Sequence, residues 1–115
     1  YLDHMEYAYA VADLVISRAG ATGIAEITAK GLASILIPYP YATGDHQMYN
    51  AESLSKHGAA KVINEKNLDN DILLIKLKKI IEDKKLLKKM SKNSKKLGEI
   101  NAANKIVAEL KELAK

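Results

Sequence analysis

The sequence predicts an α/β fold: a Rossmann-like parallel sheet with crossover helices, followed by a helical C-terminal tail. Two patterns carry this expectation. Three short apolar runs, "DLVIS" (13–17), "ASILIPY" (33–39) and "AAKVI" (59–63), are separated by stretches with helical spacing. Both of those stretches end at a glycine. Strands that alternate with helices form parallel sheets joined by right-handed crossovers. Three strands are about half of what a doubly wound domain usually holds. The chain therefore reads as one partial domain over 1–115, with a βαβαβ core at 1–65 and C-terminal helices at 66–115.

The first segment, "LDHMEYAYAVA" (2–12), reads as a short helix with Asp3 at its N-cap and Glu6 three residues on. The strands at 13–17 and 33–39 are apolar nearly throughout rather than alternating, as expected of strands covered on both faces. "TGIAEITAKG" (22–31) and "DHQMYNAESLSKHG" (45–58) are the intervening helices. Their terminal Gly31 and Gly58 suit the left-handed conformation that stops a helix. Beyond Ile63 the chain is helical. "LDNDILLIKLKKIIEDKK" (68–85) carries a cap at Asp69 or Asn70 and apolar residues at Ile72, Leu73, Ile75, Leu77, Ile80 and Ile81. "NAANKIVAELKELAK" (101–115) places Ile106, Val107, Leu110 and Leu113 at helical spacing.

Composition narrows the function classes. Hydrophobic residues make up 48% of the 115 and charged residues 28%, ordinary proportions for a globular protein. No apolar run reaches the roughly 20 residues of a membrane span, and no secretory signal pattern is present. The start at Tyr1 reads as a piece of a longer protein. With no cysteine there is no disulfide framework, thiolate metal site or cysteine nucleophile, which fits a cytoplasmic location. The net charge of +4 is concentrated in "EDKKLLKKMSKNSKK" (82–96). That segment reads first as a solvated helix face, and second as a basic surface for anionic lipid. Nucleic acid is disfavoured, because Arg18 is the only arginine and no aromatic residue interleaves with the lysines.

The chemistry concentrates in "SRAGATGIAEITAKG" (17–31), which packs Arg18 and three of the six glycines into one strand-to-helix handover. Ligands of parallel α/β sheets bind at the carboxyl ends of strands. Gly20, between the small Ala19 and Ala21, lets a ligand approach the backbone. The N–H groups that open the next helix, at Ala21, Thr22, Gly23 and Ile24, would face an anion. Arg18 could add charge or a bidentate contact, and Glu26 could accept hydrogen bonds from sugar hydroxyls. A tight turn in which glycine serves geometry alone is the competing reading, and the spacing excludes a P-loop. In the second loop, "PYPYATGDHQMYN" (38–50), Thr43-Gly44-Asp45 looks like a turn ending in a helix cap. His46 and Gln47 then fall in the first turn of the following helix, towards the first loop, and both can hydrogen-bond a polyhydroxylated ligand.

The stretch "ADLVISRAGATGIAEITAKGLASILIPYPYATGDHQMYNAESLSKHGAAKVI" (12–63) resembles the C-terminal, donor-binding domain of the MurG family, glycosyltransferases of GT-B architecture. The match is detailed over 1–65 and extends to arrangement only beyond. The resemblance implies transfer of N-acetylglucosamine from UDP-GlcNAc to lipid I, giving lipid II for peptidoglycan, at the cytoplasmic face of the cell membrane. It implies direct displacement at the anomeric carbon, with no cofactor and no metal. The helix N-terminus at Ala21, Thr22, Gly23 and Ile24 would face the pyrophosphate, and Glu26 would bind the ribose. Gln47, with His46 beside it, would hold GlcNAc hydroxyls, while Ser17, Arg18 and Gly20 shape the loop. Lipid I would be held by an N-terminal domain that these residues do not include, and no catalytic base is assigned among His4, His46 and His57.

Two positions depart from the family pattern. Gly23 stands where the family usually has Thr, and Ala33 where it often has Pro. Taken alone, the chain is expected to bind donor weakly and to lack transferase activity. Two other readings stand beside this one. The chain could be the donor domain of another UDP-sugar GT-B enzyme, or a non-enzymatic assembly fragment. A half-sheet leaves an apolar edge uncovered, so a homodimer of the chain is also expected.

Overall fold

The computed structural model describes residues 7–11, 14–40 and 46–114, with side chains from residue 14 onward. Four strands form one sheet in the order β1-β2-β3-β4, with β1 at Tyr7–Val11, β2 at Leu14–Ser17, β3 at Ala33–Leu36 and β4 at Ala60–Val62. β2, β3 and β4 are parallel, with Leu14 opposite Ala33 and Ser34 opposite Ala60. Helix α1 (Ala21–Lys30) joins β2 to β3, and α2 (Gln47–Lys56) joins β3 to β4. A single 3₁₀ turn at Glu65–Asn67 leads to α3 (Asn70–Ile81) and α4 (Lys84–Leu113).

The helix expected over 2–12 is corrected by β1. Tyr7–Val11 pairs antiparallel with β2, Val11 opposite Leu14 and Tyr9 opposite Ile16, with an irregularity between Tyr7 and Tyr9. Two residues separate β1 from β2, a connection that only an antiparallel hairpin can make. The segment "YAYAV" also alternates, and its tyrosines and valine favour strands. Asp3, His4 and Glu6 lie outside the described residues.

Alternation along the parallel strands sends side chains to two cores. Leu14, Ile16, Ala33, Ile35 and Ile37 join Ile63, Ile80 and Met90 on one face, beneath α3 and the start of α4. Val15 and Leu36 point the other way, onto Ala19, Ile27, Ala51 and Leu54 of the α1–α2 layer. Both faces are covered, which explains why these strands read as continuous apolar runs. Gly31 ends α1 in the left-handed conformation at φ 68°, and the neighbouring Leu32 N–H returns to the Ile27 carbonyl at 3.0 Å. At the other stop α2 is capped by His57, and Gly58 follows at φ 74°.

Helix α4 locks the α1–α2 layer. The Ser94 hydroxyl donates to the Ile27 carbonyl at 3.4 Å, and the Asn93 amide donates to the Gly58 carbonyl at 3.2 Å. At Gly98 a Cβ would lie 2.4 Å from the Thr28 carbonyl oxygen, so glycine sets how closely the helices cross. The lysines at 84, 85, 88, 89, 92, 95 and 96 are exposed on the outer side of α4. From Glu99 to Ala114 every residue is exposed, including Ile106, Val107, Leu110 and Leu113. These four keep the helical spacing read from sequence, yet nothing among the described residues covers them.

Candidate functional site

Each parallel strand ends at the same sheet edge, where the residues of interest follow. Ser17 closes β2 and is fully buried, its hydroxyl donating to the Arg18 carbonyl at 2.8 Å. Ala19 is buried, and Gly20, in extended backbone, is the N-cap of α1. Glycine offers no capping side chain, and the first turn of α1 contains no acid. Ala21, Thr22 and Glu26 are exposed, Ile24 is half-buried and Gly23 is buried. Glu26 therefore stands on the outer face of α1, about one turn beyond its first residues.

The second loop returns to this edge through α2. Sequence placed the cap at Asp45 and His46 in the first turn, but α2 begins at Gln47 and His46 is its N-cap. His46 has φ 47°, a left-handed backbone that cannot belong to the helix interior, which is why the helix starts one residue later. The Asn50 N–H then bonds the His46 carbonyl at 2.9 Å as the first intrahelical bond. The Thr43-Gly44-Asp45 turn lies outside the described residues. His46 is exposed and Gln47 half-buried. The Gln47 side-chain oxygen accepts the Tyr39 backbone N–H at 2.7 Å.

A cleft of about 710 Å³ opens here, lined by Pro38, Tyr39, His46, Gln47, Met48 and Glu65 among others. It gathers His46 and Gln47, and Gly20 to Glu26 are not among its lining residues. The two loops are joined instead through Asn50, whose side-chain amide donates to the Ala19 carbonyl at 3.1 Å. Arg18 turns towards the cleft wall. Its Nη1 is 2.6 Å from Glu65 Oε1 and 3.3 Å from the Ile37 carbonyl, and its guanidinium sits 5.2 Å from the centre of the Tyr39 ring.

Asn50 and Glu65 are site-edge residues that sequence reasoning passed over. Asn50 carried a signal, since it lies four residues after His46 and so shares a helical face with the N-cap. Glu65 carried none, because only the fold brings it 47 positions back to Arg18.

Chemically, the edge presents an uncapped helix N-terminus suited to an anion, a carboxylate beside it, and an amide and an imidazole across the loop. The chain is similar to known proteins over most of its length. The profile of the glycosyltransferase family 28 C-terminal domain matches residues 1–109. A protein of Halothermothrix orenii is 56% identical over 115 residues, covering 100% of this chain and 31% of its own length. One of Thermoanaerobacter sp. (strain X514) is 48% identical over 113 residues, or 98% of this chain and 31% of its own. Both are named UDP-N-acetylglucosamine--N-acetylmuramyl-(pentapeptide) pyrophosphoryl-undecaprenol N-acetylglucosamine transferase. The crystal structure of Acinetobacter baumannii MurG matches with a TM-score of 0.65 at 34% identity, over 74% of this chain and 24% of that one. The chain thus spans less than a third of the length of these relatives. A profile match over nearly all of its residues, on the α/β architecture described above, shows that the chain belongs to the glycosyltransferase family 28 C-terminal domains.

Proposed function

We propose that the chain is the UDP-GlcNAc-binding part of a hexosyltransferase that transfers N-acetylglucosamine to lipid I, forming lipid II in peptidoglycan synthesis. The observation that carries this reading is the opening of α1. Its N-terminus stands at the carboxyl edge of β2 with neither a capping side chain nor an acid in its first turn. Such an end favours a diphosphate. The names of the relatives supply the sugar and the acceptor.

In this reading the amides of Ala21, Thr22, Gly23 and Ile24 face the pyrophosphate, with Gly20 allowing close approach and Arg18 shaping the loop. The exposed Glu26 accepts from the ribose hydroxyls. His46 and Gln47 hold hydroxyls of the sugar. An acceptor hydroxyl held by the N-terminal domain of the parent attacks the anomeric carbon, and the bond to UDP breaks in the same displacement. The α1 dipole stabilises the negative charge that gathers on the leaving diphosphate, so the step needs no metal. No base is assigned here, and the isolated chain is expected to be inactive. The parent works at the cytoplasmic face of the membrane. No helix among the described residues is long and apolar enough to cross one.

The test is a titration of UDP-GlcNAc into isotope-labelled chain, followed by amide NMR, with GlcNAc alone as control. Shifts confined to Gly20–Glu26 and His46–Gln47 are expected, and Glu26→Ala should remove most of the response. A folded spectrum unmoved at millimolar UDP-GlcNAc would reject donor binding by this chain.

The bare stripe on α4 favours one further reading, a homodimer of the isolated chain. Leu110 and Leu113 are 59% and 82% exposed, and burying such residues against a second copy is favourable.

A further inference from the structure

We propose that Arg18 and Glu65 are a pair of positioning residues that hold the Gln47 amide in place at the sheet edge. This inference rests on the donor-site reading for its consequence, but not for its geometry. Arg18 follows β2, Ile37 and Tyr39 follow β3, and Glu65 opens the turn after β4. One guanidinium therefore touches the carboxyl ends of all three parallel strands, through the Glu65 carboxylate, the Ile37 carbonyl and the Tyr39 ring. The pair is partly withdrawn from water, at 17% and 30% side-chain exposure, where a charge-assisted hydrogen bond is stronger than at the surface.

The chain of contacts continues to the ligand side. Tyr39 lies under the guanidinium, and its backbone N–H is the donor that the Gln47 side-chain oxygen accepts. That bond orients the amide: the oxygen is committed to Tyr39, and the NH₂ end is carried on the opposite side. A displaced Tyr39 would release Gln47. Glu65 thus acts on Gln47 through Arg18 and the β3 loop, without itself needing to meet a ligand. Both polar contacts are made by the one Nη1, while the flat guanidinium meets the Tyr39 ring, a face that a lysine ammonium does not offer. The alternative is that Arg18 grips the diphosphate directly.

Arg18→Lys, Glu65→Gln and the double variant separate the two. NMR of the unliganded chain reads the Tyr39 backbone amide and the Gln47 side-chain NH₂, with Ile27 and Ile80 as reporters of the intact cores. Both single variants are expected to move the Tyr39 and Gln47 signals together while the core reporters stay. Each should weaken UDP-GlcNAc binding by about five- to tenfold, the scale of one ordinary hydrogen bond, and the double variant should be no worse than either single. Unmoved Tyr39 and Gln47 signals in Glu65→Gln would overturn the proposal. So would unchanged or tighter binding in that variant, as expected if Arg18 were freed to grip phosphate. Should the unmodified chain show no UDP-GlcNAc response, the donor reading fails, and the unliganded signals still decide whether the pair positions Gln47.

Discussion

Gly98 and Asn50 show how single residues set the geometry around the edge. At Gly98, alanine would gain about 1 kcal/mol of helix propensity, but its Cβ would overlap a backbone oxygen that cannot move alone. Overpacking of this kind costs about 1–3 kcal/mol. Gly98→Val, which overlaps more and gains less propensity, is expected to lose at least about 2 kcal/mol. The readout is a lower urea midpoint at constant slope. Asn50→Ala removes the donor from the carbonyl of the buried Ala19. It should lose about 1–2 kcal/mol of stability. It should also weaken the UDP-GlcNAc response at Gly20–Ile24, because the loop before α1 loses its tie to α2. A titration that matches the unmodified chain would show that the tie does not set the α1 N-terminus.

At the scale of elements, local chemistry and tertiary support separate cleanly. α3 and α4 both begin with an aspartate whose carboxylate accepts an N–H three residues on, Asp69 from Ile72 at 2.8 Å and Asp83 from Leu86 at 3.1 Å. Asp69→Ala and Asp83→Ala should each cost about 1 kcal/mol, measurable by denaturation followed by circular dichroism. α4 is one helix of 30 residues, but its two halves have different supports. Met90 and Ser94 are buried, whereas 99–114 touch solvent throughout. Removing 101–115 is therefore expected to leave the urea midpoint nearly unchanged. Deleting back through Met90 should abolish cooperative unfolding, since the contacts of Met90, Ser94 and Gly98 with the rest of the domain would go together.

For the whole molecule, the consequence of that bare half is association. Ile106 is 57% exposed and Leu110 59%, a helical stripe with nothing described against it. The isolated chain is expected to elute as a dimer at high concentration in size-exclusion chromatography. Ile106→Glu with Leu110→Glu should return it to a monomer. A monomer at every concentration would reject the homodimer reading.

The sequence by itself determined the parallel strands, the helices between them, the glycine stop at Gly31, a cap at Asp69 or Asn70 and the glycine-rich handover at Gly20. Each of these is a local property, written in apolar runs, helical spacing and backbone permissiveness over a few residues. Only the tertiary structure decided β1, because "YAYAV" holds alanines that suit a helix until β2 supplies a pairing edge. It also decided where Arg18 points. Its partners Ile37, Tyr39 and Glu65 lie 19, 21 and 47 positions away, and no local pattern records which strand ends will meet. His46 shows the boundary between the two: its place beside Gln47 was legible, but its left-handed backbone at φ 47° was not written in any local pattern.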